Sequence, residues 1–192
     1  MADDELIRDP KRLRALSHPL RWELIDLLTV EGSATATRCA QVLGESVASC
    51  SYHLNMLAKY GFVEEAPGGT GREKPWRATS AKQDFRLSEL DEEGALAGEA
   101  AADALLEREM TVLRKRIRAH GLEPEEWRGA TGIINSNTFL TAEEAAEVRT
   151  LIMGVVERYR HRLTDPDSRP EGAREVRIFT ATTVAPERPE PT

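Results

Sequence analysis

Apolar residues recur every three or four positions over the first 60 residues, and turn-forming residues divide this pattern into four segments. The first segment, 10–15, opens with Pro10 and predicts a short helix. The second predicts a helix that ends at Gly32, with Ser17 as its N-cap and Pro19 in its first turn. The apolar positions of this second helix are Leu20, Leu24, Leu27 and Leu28.

Two further helices are predicted on either side of Gly44, which is the turn between them. The shorter helix covers residues 35–43, and its inward-facing residues are Cys39, Val42 and Leu43. The longer helix has Ser46 as its N-cap and ends at Gly61, and its apolar stripe is Val47, Cys50, Leu54 and Leu57. Two helices joined by a short turn that contains glycine indicate a helix-turn-helix motif.

The residues after Gly61 predict a β-hairpin. Residues 62–66 and 74–79 each read as a short strand, and the sequence Pro-Gly-Gly-Thr-Gly at 67–71 reads as the turn between them. Trp76 is expected to pack beneath this hairpin. Helices followed by such a hairpin, or wing, predict a winged helix-turn-helix domain over residues 10–80.

A long helix is predicted at 96–120, within a segment, 81–132, that we interpret as a linker and dimerisation helix. Its apolar residues alternate at three- and four-residue steps, which is the seam of a coiled coil. We predict that four of them form a dimer interface, namely Leu106, Met110, Leu113 and Ile117.

The pattern after residue 132 predicts a small α/β module at 133–184 and a disordered tail at 185–192. Strands are expected at 133–140 and 176–180, on either side of a helix that runs to Leu163. Thr141 and Glu144 form the capping-box pattern at the start of that helix. The fold class is therefore mainly α (α+β), with an N-terminal winged helix-turn-helix, a long dimerisation helix and a small C-terminal α/β module.

Composition and charge limit the possible functions. The formal net charge is −7, but residues 8–62 carry seven Lys and Arg against five Asp and Glu, and most of the acidic excess lies after residue 80. Screening limits the reach of distant charges to about 8–10 Å at physiological salt. Only the docking face of a DNA-binding domain has to be positive, so the overall acidity does not exclude DNA binding.

No other chemistry is predicted. Two cysteines, Cys39 and Cys50, are too few for a disulfide framework or an all-protein zinc site, and both fall in apolar stripes. We find no phosphate-binding glycine loop and no nucleophile–base pair, so we expect no enzyme, no metal and no cofactor. The acidic N-terminus lacks the order of a secretion signal, and no apolar run approaches a membrane span of about 18 residues. The expected location is the cytoplasm.

The second helix of a helix-turn-helix enters the major groove of double-stranded DNA, with its N-terminal residues nearest the base edges. The candidate contacts on this helix are Ser46, Val47, Ala48, Ser49, Ser51, Tyr52, His53 and Asn55. The candidate contacts on the wing are Arg72, Lys74 and Arg77, because long cations are attracted to a narrow minor groove. The alternative is that the serines are ordinary exposed helix residues and that the cations only keep the hairpin soluble.

Three segments, ALSHPLRWELIDLL, SVASCSYHLNMLAKYGFVE and GREKPWRAT, resemble the winged-helix domain of the arsenic-repressor (ArsR-type) regulators. The most specific part is Ser-Tyr-His-Leu at 51–54, followed by Leu57 and by Gly-Phe-Val at 61–63. The resemblance covers residues 10–80 and implies a homodimeric DNA-binding regulator, with the groove helix at 46–60 and the wing near Arg72. Residues 133–184 are similar to a C-terminal extension of some regulators of this kind.

This chain departs from the metal-sensing members of that family, which carry a paired-cysteine motif in the helix before the turn. Here that helix holds a single cysteine, Cys39, so metal sensing is not expected. The sequence favours a dimeric transcription factor, a repressor, that reads a pseudo-palindromic operator and responds to an unidentified non-metal effector. The alternative is a winged-helix module that binds proteins without sequence-specific DNA binding.

Overall fold

The computed structural model describes residues 6–69, 74–80 and 83–186, apart from the side chains of Ser88 and Thr164. The chain divides into two compact units, Met1–Gly132 and Ile133–Thr192. Helices predominate and the strands are few, which confirms the mainly α fold class. Among the described residues, no helix is both long and apolar enough to cross a membrane.

The first unit opens with four helices, as the apolar pattern predicts. They are α1 (Pro10–Arg14), α2 (Pro19–Glu31), α3 (Ala36–Leu43) and α4 (Val47–Lys59). Thr35 and Ser46 cap α3 and α4, since each side-chain oxygen accepts a backbone N–H three residues later, at 3.1 Å. Gly44 ends α3 in the left-handed region, with φ +74°, where a side chain would be strained. This glycine turns the chain from α3 into α4.

Three short strands form one antiparallel sheet, in the order β1 (Ala34–Thr35), β3 (Pro75–Ala78) and β2 (Val63–Glu65). The two strands of the hairpin agree with the prediction. Strand β1 is a finding, because two residues are too short for a detectable alternation. Trp76 pairs with Ala34 on one side and with Glu65 on the other, and its ring is buried, so its predicted place beneath the wing is confirmed.

The core of this unit is built by the helices and by the first residues of the hairpin. Leu13 of α1, Leu24 of α2, Leu54 and Leu57 of α4, and Phe62 are all inaccessible to solvent or nearly so. Trp22, whose position the sequence leaves open, is also buried in this cluster. Burial of such side chains stabilises each element by roughly 1.5–3 kcal/mol per residue.

The long helix α5 (Glu92–Ala119) starts four residues earlier than predicted and packs against α1 and α2. Asp91 caps it by accepting the N–H of Gly94 at 2.8 Å. Small residues, Ala97, Gly98, Ala101 and Ala104, line its buried face and allow close approach to the other helices. A one-turn 3₁₀ helix (His120–Leu122) and α6 (Glu125–Ala130) complete the unit.

The second unit contains α7 (Ala142–Tyr159) and α8 (His161–Thr164) in its described part. The capping box is confirmed, because Thr141 and Glu144 each accept the backbone N–H of the other. The predicted strands at 133–140 and 176–180 are wrong, since both segments lack regular structure. A strand must pair its backbone groups and bury a face, whereas Phe139 and Ile134 are fully exposed here. The tail at 187–192 lies outside the described residues.

Three local predictions in the first unit are also wrong. The N-cap of α2 is His18 rather than Ser17, because His18 Nδ1 accepts the N–H of Leu20 at 3.2 Å. Val42 and Val47, both expected to face the core, are exposed at about half of their surface. Each valine lies at the edge of its apolar stripe, where spacing alone does not decide the direction of the side chain.

Candidate nucleic-acid interface

Helix α4 presents two chemically different faces. Cys50, Leu54 and Leu57 are fully buried and fix the helix to the core. On the opposite side, Tyr52 keeps 60% of its surface exposed, and Asn55 is also exposed. The predicted accessibility of these two residues is therefore confirmed, and α4 offers an aromatic ring and an amide to the solvent.

The N-terminal end of α4 is small and accessible. Ser46, Val47 and Ala48 are exposed, and Ser49 and Ser51 are partly exposed. The first turn of the helix contains no acidic residue, although Glu45 precedes the N-cap. Unpaired backbone N–H groups and the helix dipole make such an end attractive to phosphate. The arrangement suits close approach to a DNA backbone or to base edges.

Asn55 also donates from Nδ2 to the carbonyl oxygen of Ser51 at 2.8 Å. This bond holds the amide along the helix surface with its side-chain oxygen unoccupied among the described contacts. An amide is a suitable partner for adenine in the major groove.

His53 does not belong to this exposed face, and its role as a DNA contact stays a prediction. Its ring is only 8% exposed and lies 4.4 Å, centroid to centroid, from the ring of His18. Arg21 donates from Nε to His53 Nδ1 at 3.1 Å and from Nη1 to the carbonyl oxygen of Ala15 at 2.9 Å. Because Nδ1 accepts, the neutral ring carries its proton on Nε2. His53 thus ties α4 to the start of α2.

This contact predicts a pH-dependent stability. Burial, together with the nearby His18 and Arg21, lowers the pKa of His53 below 6.5, its ordinary value. The unfolded chain then binds a proton more readily than the folded chain, so the free energy of unfolding falls as the pH drops through 6.5. We expect the His53→Gln variant, which stays neutral, to lose this part of the decline between pH 7.5 and 5.5.

Denaturant unfolding at the two pH values measures this difference. His120→Gln is the matched control, since His120 lies outside the cluster of His18, Arg21 and His53. An equal decline in the wild type and in the His53→Gln variant would contradict the assignment.

The wing cations are paired with carboxylates of the neighbouring strand. Lys74 lies against Glu65, and Arg77 lies against Glu64 at 2.8 Å. All four side chains are about half exposed, so DNA phosphates compete with these carboxylates in a solvated environment. Arg72, predicted at the wing tip, lies outside the described residues.

The arginines of the first two helices are also engaged. Arg14 pairs with Glu93 at 2.7 Å, and Arg12 lies over the ring of Phe62. Arg21 is occupied with His53, as described above. These three arginines therefore contact other residues of the same chain. The charge pattern of the sequence alone does not reveal these contacts.

The two cysteines lie in the core. Both are buried free thiols. Burial raises the pKa of Cys39 to about 11 and also raises that of Cys50, so both stay protonated at neutral pH. Metals bind the thiolate form. Within the described ranges, no group of three or more His, Cys, Asp and Glu is placed to hold a metal ion.

Comparison with known proteins identifies one domain of the chain. No curated protein matches the chain. A family model described as a helix-turn-helix domain matches residues 16–66, which contain α2, α3, α4 and β2. The chain therefore carries at residues 16–66 a helix-turn-helix domain, the kind of domain found in DNA-binding regulators.

Proposed function

We propose that this chain is an ArsR-type transcriptional repressor that binds a pseudo-palindromic operator as a homodimer in the cytoplasm. Each copy reads one half-site, with α4 in the major groove and the wing at the flanking backbone. The proposal assigns the chain no catalytic role and no metal.

One observation carries this proposal, the two-sided character of α4. Its buried side is fully used by Cys50, Leu54 and Leu57, whereas Tyr52 and Asn55 project outward beside a small N-terminal end. A helix that is held so firmly and yet leaves polar groups in solvent is suited to reading base edges. The match of residues 16–66 to a helix-turn-helix domain supports the same role.

The dimer rests on the apolar side chains of α5. Leu106 and Ile117 are 43% and 45% exposed, and Met110 and Leu113, which share their stripe, are partly exposed. These four residues lie away from the face that packs on α1 and α2. A second copy of the helix would cover them, with the three- and four-residue spacing of a coiled-coil seam.

A non-metal effector is the third part of the proposal. The buried and protonated state of Cys39 and Cys50 favours such an effector over a metal. Stabilisation of the protein by a compound in a thermal-shift screen would identify it.

A gel shift with the upstream region of its own gene, combined with sedimentation velocity, tests the proposal. We expect a protein dimer that binds one duplex and prefers the upstream region over random DNA. A protein without this preference would instead favour the alternative, a winged-helix module that binds proteins. A monomer that binds duplex at one to one would contradict the dimer.

Tyr52→Ala should relax sequence preference. We expect the affinity for the operator to fall by about 1–3 kcal/mol, while the affinity for random DNA stays nearly constant, because an exposed groove residue discriminates between bases. Lys74→Ala is the comparison, since a wing cation contacts the backbone and its loss should weaken binding to both duplexes alike. Fluorescence anisotropy with both duplexes measures the two Kd values. Equal losses for Tyr52→Ala would make Tyr52 a backbone contact.

A further inference from the structure

The face of α5 that packs on the helix-turn-helix domain continues beyond that domain. Ala97, Ala101, Ala104 and Arg108 are spaced by three and four residues and are all buried. The same spacing leads on to Thr111, Lys115, Arg118 and Leu122, and all of these are exposed. The last turns of α5 therefore leave this face uncovered.

This overhanging face is strongly basic. Arg114, Lys115 and Arg118, here called the basic stripe, line an open groove of about 540 Å³ together with Thr111, Ala119 and Leu122. Within the described part of the chain, none of the three cations makes an ion pair or a hydrogen bond. Arg14, Lys74 and Arg77, in contrast, are each paired with a carboxylate. Three cations without an ion pair among the described residues therefore lie together at this end of α5.

The basic stripe continues from the side of α5 that faces α2. Burial raises the pKa of Glu23 on α2, Arg108 and Lys115 oppose this rise, and Glu45 adds to it. Arg108, on the same face of α5, forms an ion pair with Asp26 of α2, and Lys115 follows Arg108 by seven residues, or about two helical turns. Glu45 directly precedes Ser46, the N-cap of α4. The basic stripe therefore continues the face of α5 that packs along α2.

The apolar side chains that we assign to the dimer lie on another face of α5. Leu113 and Ile117 precede Arg114 and Arg118 by one residue, which is a rotation of about 100° around the helix axis. A partner helix on the apolar seam would leave the basic stripe accessible.

We propose that Arg114, Lys115 and Arg118 form a second DNA-binding surface, which holds phosphates of the duplex that flanks the sequence read by α4. This inference rests on the proposed function. Charge complementarity selects the occupant, since closely spaced cations without internal partners match a regular row of phosphates. Lys59 is the one cation among the residues of α4, so this helix attracts the DNA backbone weakly. The basic stripe supplies that attraction.

The test is the full-length variant with Arg114→Gln, Lys115→Gln and Arg118→Gln, measured by fluorescence anisotropy at several salt concentrations. The slope of log Kd against log salt should fall by about 0.9 for each lost phosphate contact, or about 2.7 for three. On a long operator duplex we expect about a tenfold loss of affinity or more. On a duplex cut to the bases read by α4 and the wing, the variant and the wild type should bind alike.

The control variant carries Arg149→Gln, Arg158→Gln and Arg174→Gln, which change the net charge equally on exposed positions of the second unit. It should retain the wild-type slope. Circular dichroism checks folding, and Lys115→Gln alone replaces the triple variant if the latter unfolds, with one third of the change in slope expected.

The outcomes separate this inference from the proposed function. A wild-type protein that does not distinguish operator from random DNA contradicts the proposed function. A wild-type protein that does distinguish them, with a triple variant that behaves like the control on the long duplex, overturns only the basic stripe. If the triple variant loses the same affinity on the long and the short duplex, the basic stripe does not bind the flanking DNA.

Discussion

Arg108→Ala is expected to lower the free energy of unfolding by about 3–5 kcal/mol at neutral pH. The Arg108 guanidinium is buried between α5 and α2, where it pairs with Asp26 and with Glu109, the latter at 2.7 Å. Glu109 is itself almost inaccessible. Removal of the arginine leaves this carboxylate without its cation in a site that water does not reach, and the desolvation cost is then uncompensated.

The loss should depend on pH in a defined direction. Burial already raises the pKa of Glu23, and the loss of Arg108 removes one of the two cations that oppose this rise, so the pKa of Glu23 in the folded protein rises further. A raised carboxyl pKa makes the folded state bind more protons than the unfolded state, so folding gains stability as the pH falls. The deficit of the Arg108→Ala variant relative to the wild type should therefore shrink in acid.

Denaturant unfolding at pH 7.5 and pH 5 measures both effects. Arg114→Ala is the matched control on the same helix, and its exposed side chain should change stability by less than about 0.5 kcal/mol. A loss below about 1 kcal/mol for Arg108→Ala would show that this network contributes little.

A second variant distinguishes two causes of lost stability in Arg108→Ala, the missing positive charge and the missing side-chain volume. The triple change Arg108→Met, Glu109→Leu and Asp26→Leu removes all three charges and keeps the site filled. Because well-packed apolar residues often replace buried ion pairs without loss, this variant should be more stable than Arg108→Ala. The Nε atom of Arg108 has no hydrogen-bond partner among the described atoms, so the native network itself is incompletely satisfied.

Local patterns were sufficient to predict the framework of the helix-turn-helix. The cap Ser46, the turn at Gly44 and the buried Leu54 and Leu57 each depend on neighbours within one helical turn. Such short-range chemistry leaves a readable trace in a single sequence. The same holds for the exposed Tyr52 and Asn55, which lie opposite that apolar stripe.

Long-range contacts explain what the sequence did not reveal. His53 shares a helix with exposed residues, and its burial depends on Arg21, which lies 32 positions earlier. Strand β1 exists because β3 pairs with it, and the segments 133–140 and 176–180 lack such a partner among the described residues. Alternation of apolar residues indicates that a strand is possible, but pairing decides whether it forms.

The charge pattern gave the most misleading guide to the candidate interface. Arg14, Lys74 and Arg77 read as free cations in the sequence, but each has a carboxylate within reach in the fold. The run Arg-Lys-Arg-Ile-Arg at 114–118 was a visible signal of a basic surface. The apolar residues beside this run fit the heptad spacing, so the pattern of the segment favoured a coiled-coil seam over a basic surface.

Leu54→Ala is expected to lower the free energy of unfolding by about 2–5 kcal/mol. Leu54 is inaccessible to solvent and lies in the cluster that also holds Leu24, Leu57 and Phe62. Truncation removes apolar burial and leaves a cavity that the surrounding side chains fill only in part. Because this cluster holds α4 in place, operator binding should become undetectable at temperatures where the wild type still binds.

Val47→Ala is the control that separates the two faces of the same helix. Val47 is also an apolar residue of α4, but about half of its surface is exposed, so its truncation should cost less than about 0.5 kcal/mol. Thermal unfolding of both variants compares their stability, and anisotropy of Leu54→Ala at several temperatures follows operator binding. If Leu54→Ala retained the stability of Val47→Ala, α4 would not be fixed by its buried face. The accessible face of Tyr52 and Asn55 would then lose the rigid support that sequence-specific reading requires.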